Sequence, residues 1–331
     1  QIVIRDKATT AADVDKALAT RSESWDFIIK ELGECVDGLL VSQPSTDAGR
    51  VTQNSANSYL GYALFNRAYE DEKGDAVATP DNAMLGEALT ALNKVNASLV
   101  GEFISMFDGT NENSEEVLFE RQFSAATDGG FWLITRHHQW IRTKPLGGWD
   151  EIRPSHKLIE ELKKEKATDG NYDKRAYATA LFSCDYYNDE ANFLYVKGDN
   201  KTFDLLFAKE KREPVSSFRK LLPSTREELD TDFLGTNVPL MRYANVLLMK
   251  AEILFKKDGD SAGAFTIIND LRAKHGGMPA TTETDVMKAI EHERIMEFAL
   301  ENSRFFDLRR WGRLSELTIS EADAVTLGTS S

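Results

Sequence analysis

The stretch "AIEHERIMEFALENSRFFDLRRWG", residues 289–312, carries the reading of the whole chain. On a helix over 286–302, at about 100° per residue, Glu293, Glu297 and Glu301 fall on one face with Val286 and Ile290. Lys288, Glu291, His292 and Asn302 fall on the other side, which is expected to be wet. Carboxylates spaced at i, i+4 and i+8 repel one another, and burial makes the repulsion worse. Such a column requires cations. Arg294 lies on its rim, and Arg304, Arg309 and Arg310 follow within "RFFDLRRWGR", residues 304–313. The expectation is that these arginines fold back onto the column, with Phe305, Phe306 and Trp311 packed around the pairs. The stretch then reads as a structural lock, and a binding site has to be sought elsewhere.

The chain has 331 residues, a formal net charge of -14, and 41% hydrophobic residues, enough for a sizeable core. Its acidity argues against nucleic acid, where affinity comes mainly from cations on phosphate. It argues equally against electrostatic docking on an anionic membrane face. Cys35 and Cys184 match no metal spacing and no redox motif, and nothing in the sequence says whether they pair. The greasiest run, "YANVLLMKAEILF", is interrupted by Asn245, Lys250 and Glu252 and is no membrane span.

Residues 20–100 show helical periodicity in joined pairs. "WDFIIKELGECVDGLL" is one helix, and "SANSYLGYALFNRAYED" is a second in which small residues allow a close neighbour. Thr79-Pro80 looks like the start of a third. Residues 105–237 change character: "EEVLFERQF" is strand-like, "RPSHKLIEELKKE" is a short helix, and "YATALFSCDYY" and "ANFLYV" are candidate strand pieces. Helices return over 238–315. "PLMRYANVLLMKAEILFKK" is apolar nearly all round, and Thr282 with Asp285 resembles a capping box. The fold expected is mostly α, a single domain of tetratricopeptide-like helix pairs with a loop-rich face containing short β elements.

"VPLMRYANVLLMKAEILF", "IINDLRAKHGG" and "AIEHERIMEFALENSRFFDLRRWG" together resemble the C-terminal signature of the SusD-like (RagB/SusD) family. "GRVTQNSANSYLGYALFNRAY" resembles that family's mid-chain helix pair. Asn245 stands where the family commonly has an acid, and Asn302-Ser303 where Gly is frequent. The resemblance implies a right-handed helical scaffold and a non-enzymatic lipoprotein on the extracellular face of an outer membrane. It implies capture of an oligosaccharide, or in some members a peptide, for a SusC-like TonB-dependent transporter. It also implies that helices and a lipid anchor precede residue 1.

A sugar site needs flat apolar platforms for C–H faces and planar polar groups for hydroxyls. Segment 129–153 supplies both. Phe131, Trp132, Trp140 and Trp149 are the platforms, and Arg136, His137, His138, Gln139 and Arg142 the polar groups. Tyr186 and Tyr187 are further candidates. The competing reading is that these aromatics pin a loop to the scaffold. His137 and His138, adjacent on a strand, diverge and make a poor metal motif, so solvent-facing imidazoles are expected. No cofactor or metal is expected. With 54 acidic residues a glycosidase pair can always be picked out, so acids alone are no sign of an enzyme. A helical scaffold that binds only proteins is the remaining alternative.

Overall fold

The computed structural model describes residues 2–5, 7–11, 14–125 and 134–317. Phe131 and Trp132 lie outside the described residues.

Helix α1, Arg21–Cys35, opens with a capping box in which Thr20 and Glu23 exchange hydrogen bonds. α2, Gln53–Arg67, is capped by Thr52 and packs against α3, Asn82–Leu92. Gly61 permits the approach, because a Cβ there would overlap the Leu92 side chain. The start of α3 corrects the sequence expectation. Its N-cap is Asp81, whose carboxylate accepts from Ala83 and Met84 N–H at 2.8 and 3.0 Å, so Thr79-Pro80 stays outside the helix.

The middle of the chain holds β1 (Val117–Arg121), α4 (His137–Ile141), α5 (His156–Leu162), α6 (Lys174–Thr179), β2 (Ala180–Phe182), α7 (Asp185–Asn188), α8 (Phe203–Phe207), β3 (Ser216–Phe218) and α9 (Arg226–Leu229). "ANFLYV" forms turns instead of a strand; Phe193 and Tyr195 serve as core residues of this region. β4 (Val238–Arg242) precedes α10 (Tyr243–Asp258), so the long apolar run expected to be all helix begins as a strand. Its partner decides this: β4 pairs antiparallel with β1, while β2 pairs antiparallel with β3. α11 (Ser261–Leu271), α12 (Val286–Phe298) and α13 (Arg304–Arg310) follow. α12 is capped by Asp285 alone, not by the expected box with Thr282.

α10 is the hub. Val246, Met249 and Ile253 pack with α2 and α3, and Ala244, Leu248 and Ala251 pack with α11 and α12. Among the described residues no helix is long and apolar enough to cross a membrane.

The glutamate column is buried, but the cations meeting it are not those of the tail. Glu293 binds Arg175 and Arg272, each at 2.7 Å. Glu297 binds Arg175 at 2.9 Å, His275 at 2.8 Å and Arg242 at 3.2 Å. Glu301 binds Arg242 at 2.8 Å and Lys220 at 2.5 Å. Glu116, next to β1, closes the lattice on Arg242 at 2.7 Å and His275 at 2.9 Å. The tail arginines serve other acids. Arg310 takes Glu252 at 2.8 Å and Asp307 at 3.1 Å, Arg309 takes Glu70 at 3.2 Å, and Arg304 takes Glu291 at 2.6 Å. Arg294 meets Asp307 at 2.8 Å. The physical reason is direction: α13 leaves α12 after the turn at Leu300–Asn302 and delivers Arg310 to α10 and Arg309 to the α2–α3 connection, while Arg304 meets Glu291 on α12, off the buried column. The expected wet face is also corrected at His292, which is buried against Glu161 at 2.5 Å.

Burial opposes a charge on His275, yet Glu297 and Glu116 hold its pKa up at about 9. Its ordinary value is 6.5, so its stabilisation is complete below that value and lost as pH climbs through about 9. Lys220 acts in the opposite sense. Burial pulls it down to about 8 against the pull of Glu301, and that penalty lifts only above pH 8. Between pH 6.5 and 8 the melting temperature should therefore fall as pH rises, and the slope should flatten in His275→Gln. A slope unchanged in that variant would remove His275 from the account. Glu297→Ala leaves buried cations unpaired and should cost about 3–5 kcal/mol. Arg304→Ala, at a partly exposed pair, should cost at most about 1 kcal/mol in the same denaturant titration.

Candidate functional site

The segment rich in aromatic and polar residues forms a docked turn. Thr135 pairs with Leu234 through reciprocal backbone bonds of 2.8 and 2.9 Å, and α4 follows directly. His138 Nε2 donates to the Thr231 carbonyl at 2.9 Å, and Gln139 Nε2 donates to the same oxygen at 3.0 Å. Arg142 donates to the Leu229 carbonyl and to Gln139 Oε1. All three side chains are buried, which corrects the expectation that they face a ligand. They fasten α4 to the segment after α9. The two imidazoles are not solvent-facing either. Burial holds His137 down to about 4, helped by its neighbour His138, and depresses His138 as well, so both are neutral at pH 7.

The chain then turns through Gly147 (φ 87°) and Gly148 and returns alongside α4. Trp149 N–H donates to the Gln139 carbonyl at 2.7 Å, Asp150 N–H to Arg142 at 3.2 Å, and Ile152 N–H to Trp140 at 3.1 Å. Gly148 is required at that point, because a Cβ would overlap the Arg142 carbonyl oxygen. The exit is clamped by Asp150, whose buried carboxylate binds Arg153 and Arg212.

This strapping sets Trp140 and Trp149 side by side, ring centroids 6.1 Å apart and planes tilted by 46°. They remain 51% and 46% exposed, although indole is a ring that folding normally hides. Arg136 lies over Phe233 at 4.1 Å and near Trp149 at 6.0 Å, and it makes no ion pair among the described residues. The result is an open aromatic platform edged by a guanidinium. Sequence reasoning missed Phe233, which joins it through Arg136 from outside the Trp-rich run. Tyr186 and Tyr187 lie in a different cleft. Tyr187 is buried, its hydroxyl donating to the Tyr177 carbonyl at 2.5 Å, and Tyr186 is 36% exposed.

Glu116, His275 and Glu297 place potential metal-ligand atoms within 4.8 Å of one another. Both imidazole nitrogens already bond these carboxylates, and Arg242 and Arg175 neutralise them. The cluster is an ionic core, with guanidinium where a metal would sit.

A profile of the SusD family matches residues 115–326. The chain belongs to the SusD family. No curated protein sequence matches it. Among solved structures, a SusD superfamily protein from Bacteroides vulgatus superposes with a TM-score of 0.76 at 23% identity, covering 100% of this chain and 67% of the other. A laminarin-binding SusD-like protein gives 0.69 at 20% identity, covering 99% and 72%. A structure solved with xylogluco-oligosaccharide gives 0.70 at 20% identity, covering 95% and 61%. At these identities the likeness establishes the fold, and this SusD-family chain spans about two thirds of the length of such relatives.

In this SusD-family turn, Gly148→Ala should push Trp149 away from Trp140 and lower stability by about 1–3 kcal/mol. Near-ultraviolet circular dichroism should change while the far-ultraviolet spectrum holds. Gly101→Ala, where a Cβ meets nothing within 4 Å, is the matched control. Identical near-ultraviolet spectra for the two variants would contradict the strapped geometry.

Proposed function

We propose that this protein captures glycan on the Trp140–Trp149 platform, without catalysis, and delivers it to a SusC-like TonB-dependent transporter. In this reading it is lipid-anchored on the extracellular face of the outer membrane through a segment upstream of residue 1. One observation carries the platform. Four tryptophans lie among the described residues, and two spend their indole N–H inside the protein: Trp25 on Glu70, and Trp311 on Glu252 at 3.0 Å. The indole N–H groups of Trp140 and Trp149 have no acceptor among the described residues, and both rings stay half open.

The chemistry follows from that contrast. The C–H face of a pyranose ring stacks on an indole, and the tilted second indole takes a neighbouring sugar unit. Arg136, over the Phe233 ring, makes no side-chain hydrogen bond among the described residues and can donate to ring hydroxyls. His138, Gln139 and Arg142 keep the platform rigid, so little ordering is needed on binding. Affinity is expected to be weak, because an open face buries only part of a sugar and each hydroxyl exchanges water for protein. The family membership and the relatives described as laminarin-binding or solved with xylogluco-oligosaccharide support a glycan as ligand. Phe131 and Trp132 are proposed as additional contacts from the adjoining segment.

Isothermal titration with laminari- and xyloglucan oligosaccharides tests this. Trp140→Ala/Trp149→Ala should weaken binding at least about tenfold, the loss of roughly 1.4 kcal/mol or more, with the melting temperature unchanged. No reducing sugar should be released on long incubation. Wild-type affinity in the double variant would dismiss the platform, and product release would make the protein an enzyme.

A further inference from the structure

The platform leaves a second feature of the middle region unused. Between α6, α7 and the turn that follows α11 lies a cleft of about 330 Å³. That volume sits at the lower end of ligand pockets, roughly 300–1,000 Å³, and suits one or two sugar rings better than a long chain. Its aromatic wall is a stack: Tyr186 lies on Tyr177 with centroids 4.2 Å apart and planes 23° from parallel. One face of Tyr186 is thus covered by Tyr177, and the ring as a whole is 36% exposed at the cleft.

The polar atoms divide in the same way as the tryptophans. Three of the five tyrosines lining the cleft use their hydroxyls within the protein. Tyr177 Oη accepts from Tyr172 N–H at 3.0 Å, Tyr187 donates to the Tyr177 carbonyl at 2.5 Å, and Tyr195 donates to the Pro223 carbonyl at 2.7 Å. The hydroxyls of Tyr172 and Tyr186 have no partner among the described residues. The side-chain amide of Asn192 and the Glu102 carboxylate, on the same lining, have none either. The lining carries two cations, Arg219 and Lys174, the latter with its stem against Gly277, and two carboxylates, Glu102 and Asp169.

We propose that this cleft is a second binding site, for a single neutral hexopyranose unit at the end or on a branch of a glycan. A ring face would stack on Tyr186, and its hydroxyls would be read by Tyr172 Oη, the Asn192 amide and Glu102. The mixed and nearly balanced charge selects a polyhydroxylated neutral group over an anion. The site is built independently of the Trp platform, on separate elements, and its test can fail or succeed separately.

The test uses methyl glycosides of glucose, galactose and mannose, observed by saturation-transfer NMR and titration on the Trp140→Ala/Trp149→Ala protein. At least one should bind that background with a dissociation constant near millimolar, the order expected for a single ring. Tyr172→Phe/Asn192→Ala, which keeps every aromatic ring, should weaken that binding about tenfold or more while the melting temperature holds. Two results would overturn the proposal: no glycoside bound by the Trp-less background, or binding there that the Tyr172→Phe/Asn192→Ala changes leave intact. If the Trp double variant binds oligosaccharides like wild type while Tyr172→Phe/Asn192→Ala abolishes binding, the cleft stands and the platform falls.

Discussion

Burying the Arg242 guanidinium obliges the rest of the chain to gather around it. Arg242 ends β4, caps α10 and is 1% exposed. A lone charge there would cost several kcal/mol, so its partners must all arrive together. Glu116 comes from beside β1, Glu297 and Glu301 from α12 and the turn beyond it. Phe107 and Phe298 lie 5.3 and 5.0 Å from the guanidinium carbon and exclude water. Through this one side chain the register of the β1–β4 pair is tied to the packing of α10 against α12. His275 joins the lattice as a fifth cation beside Arg175, Arg242, Arg272 and Lys220. Its raised pKa is the electrostatic consequence of placing it between two buried carboxylates.

A frame locked in this way lets the middle of the chain be irregular. Residues 134–153 contain little regular structure, yet His138, Gln139 and Arg142 beneath the platform are bonded to the carbonyls of Leu229 and Thr231. Rigidity below and open aromatic surface above are the two requirements for stacking a weakly binding ring. The cleft at Tyr186 follows the same plan with tyrosine in place of tryptophan.

How much of this was legible depends on whether a signal was local. The helices before residue 100 and after residue 243, the strand at Val117–Arg121 and the inward column of glutamates were readable, because periodicity is a property of neighbours along the chain. The short helix His137–Ile141, where a strand was expected, and those at Lys174–Thr179, Asp185–Asn188, Phe203–Phe207 and Arg226–Leu229 were not. The cations that meet the column were not. Arg175, Lys220, Arg242, Arg272 and His275 are scattered over a hundred residues, and only folding brings them together. Nearness in sequence pointed instead to Arg304, Arg309 and Arg310, which a single turn redirects to Glu291, Glu70 and Glu252. The strand at Val238–Arg242 was missed for the same reason, since its conformation comes from pairing with β1. At the candidate site the sequence marked the segment in which Trp140 and Trp149 remain exposed. It could not separate Trp140, which faces outward, from Gln139 and Arg142, whose amide and guanidinium look equally suited to a hydroxyl.

The amino-acid sequence by itself determined the helical class of this protein, the need for a neutralised acidic core, and the segment where a ligand face was to be sought. These follow from residue type and spacing. Tertiary structure alone decided which cations answer which acids and which polar side chains are spent on the protein. It also decided which aromatic rings remain open. The physical reason is that burial and long-range pairing set the worth of a charge or a ring, and neither is a property of the residue's neighbours in the chain.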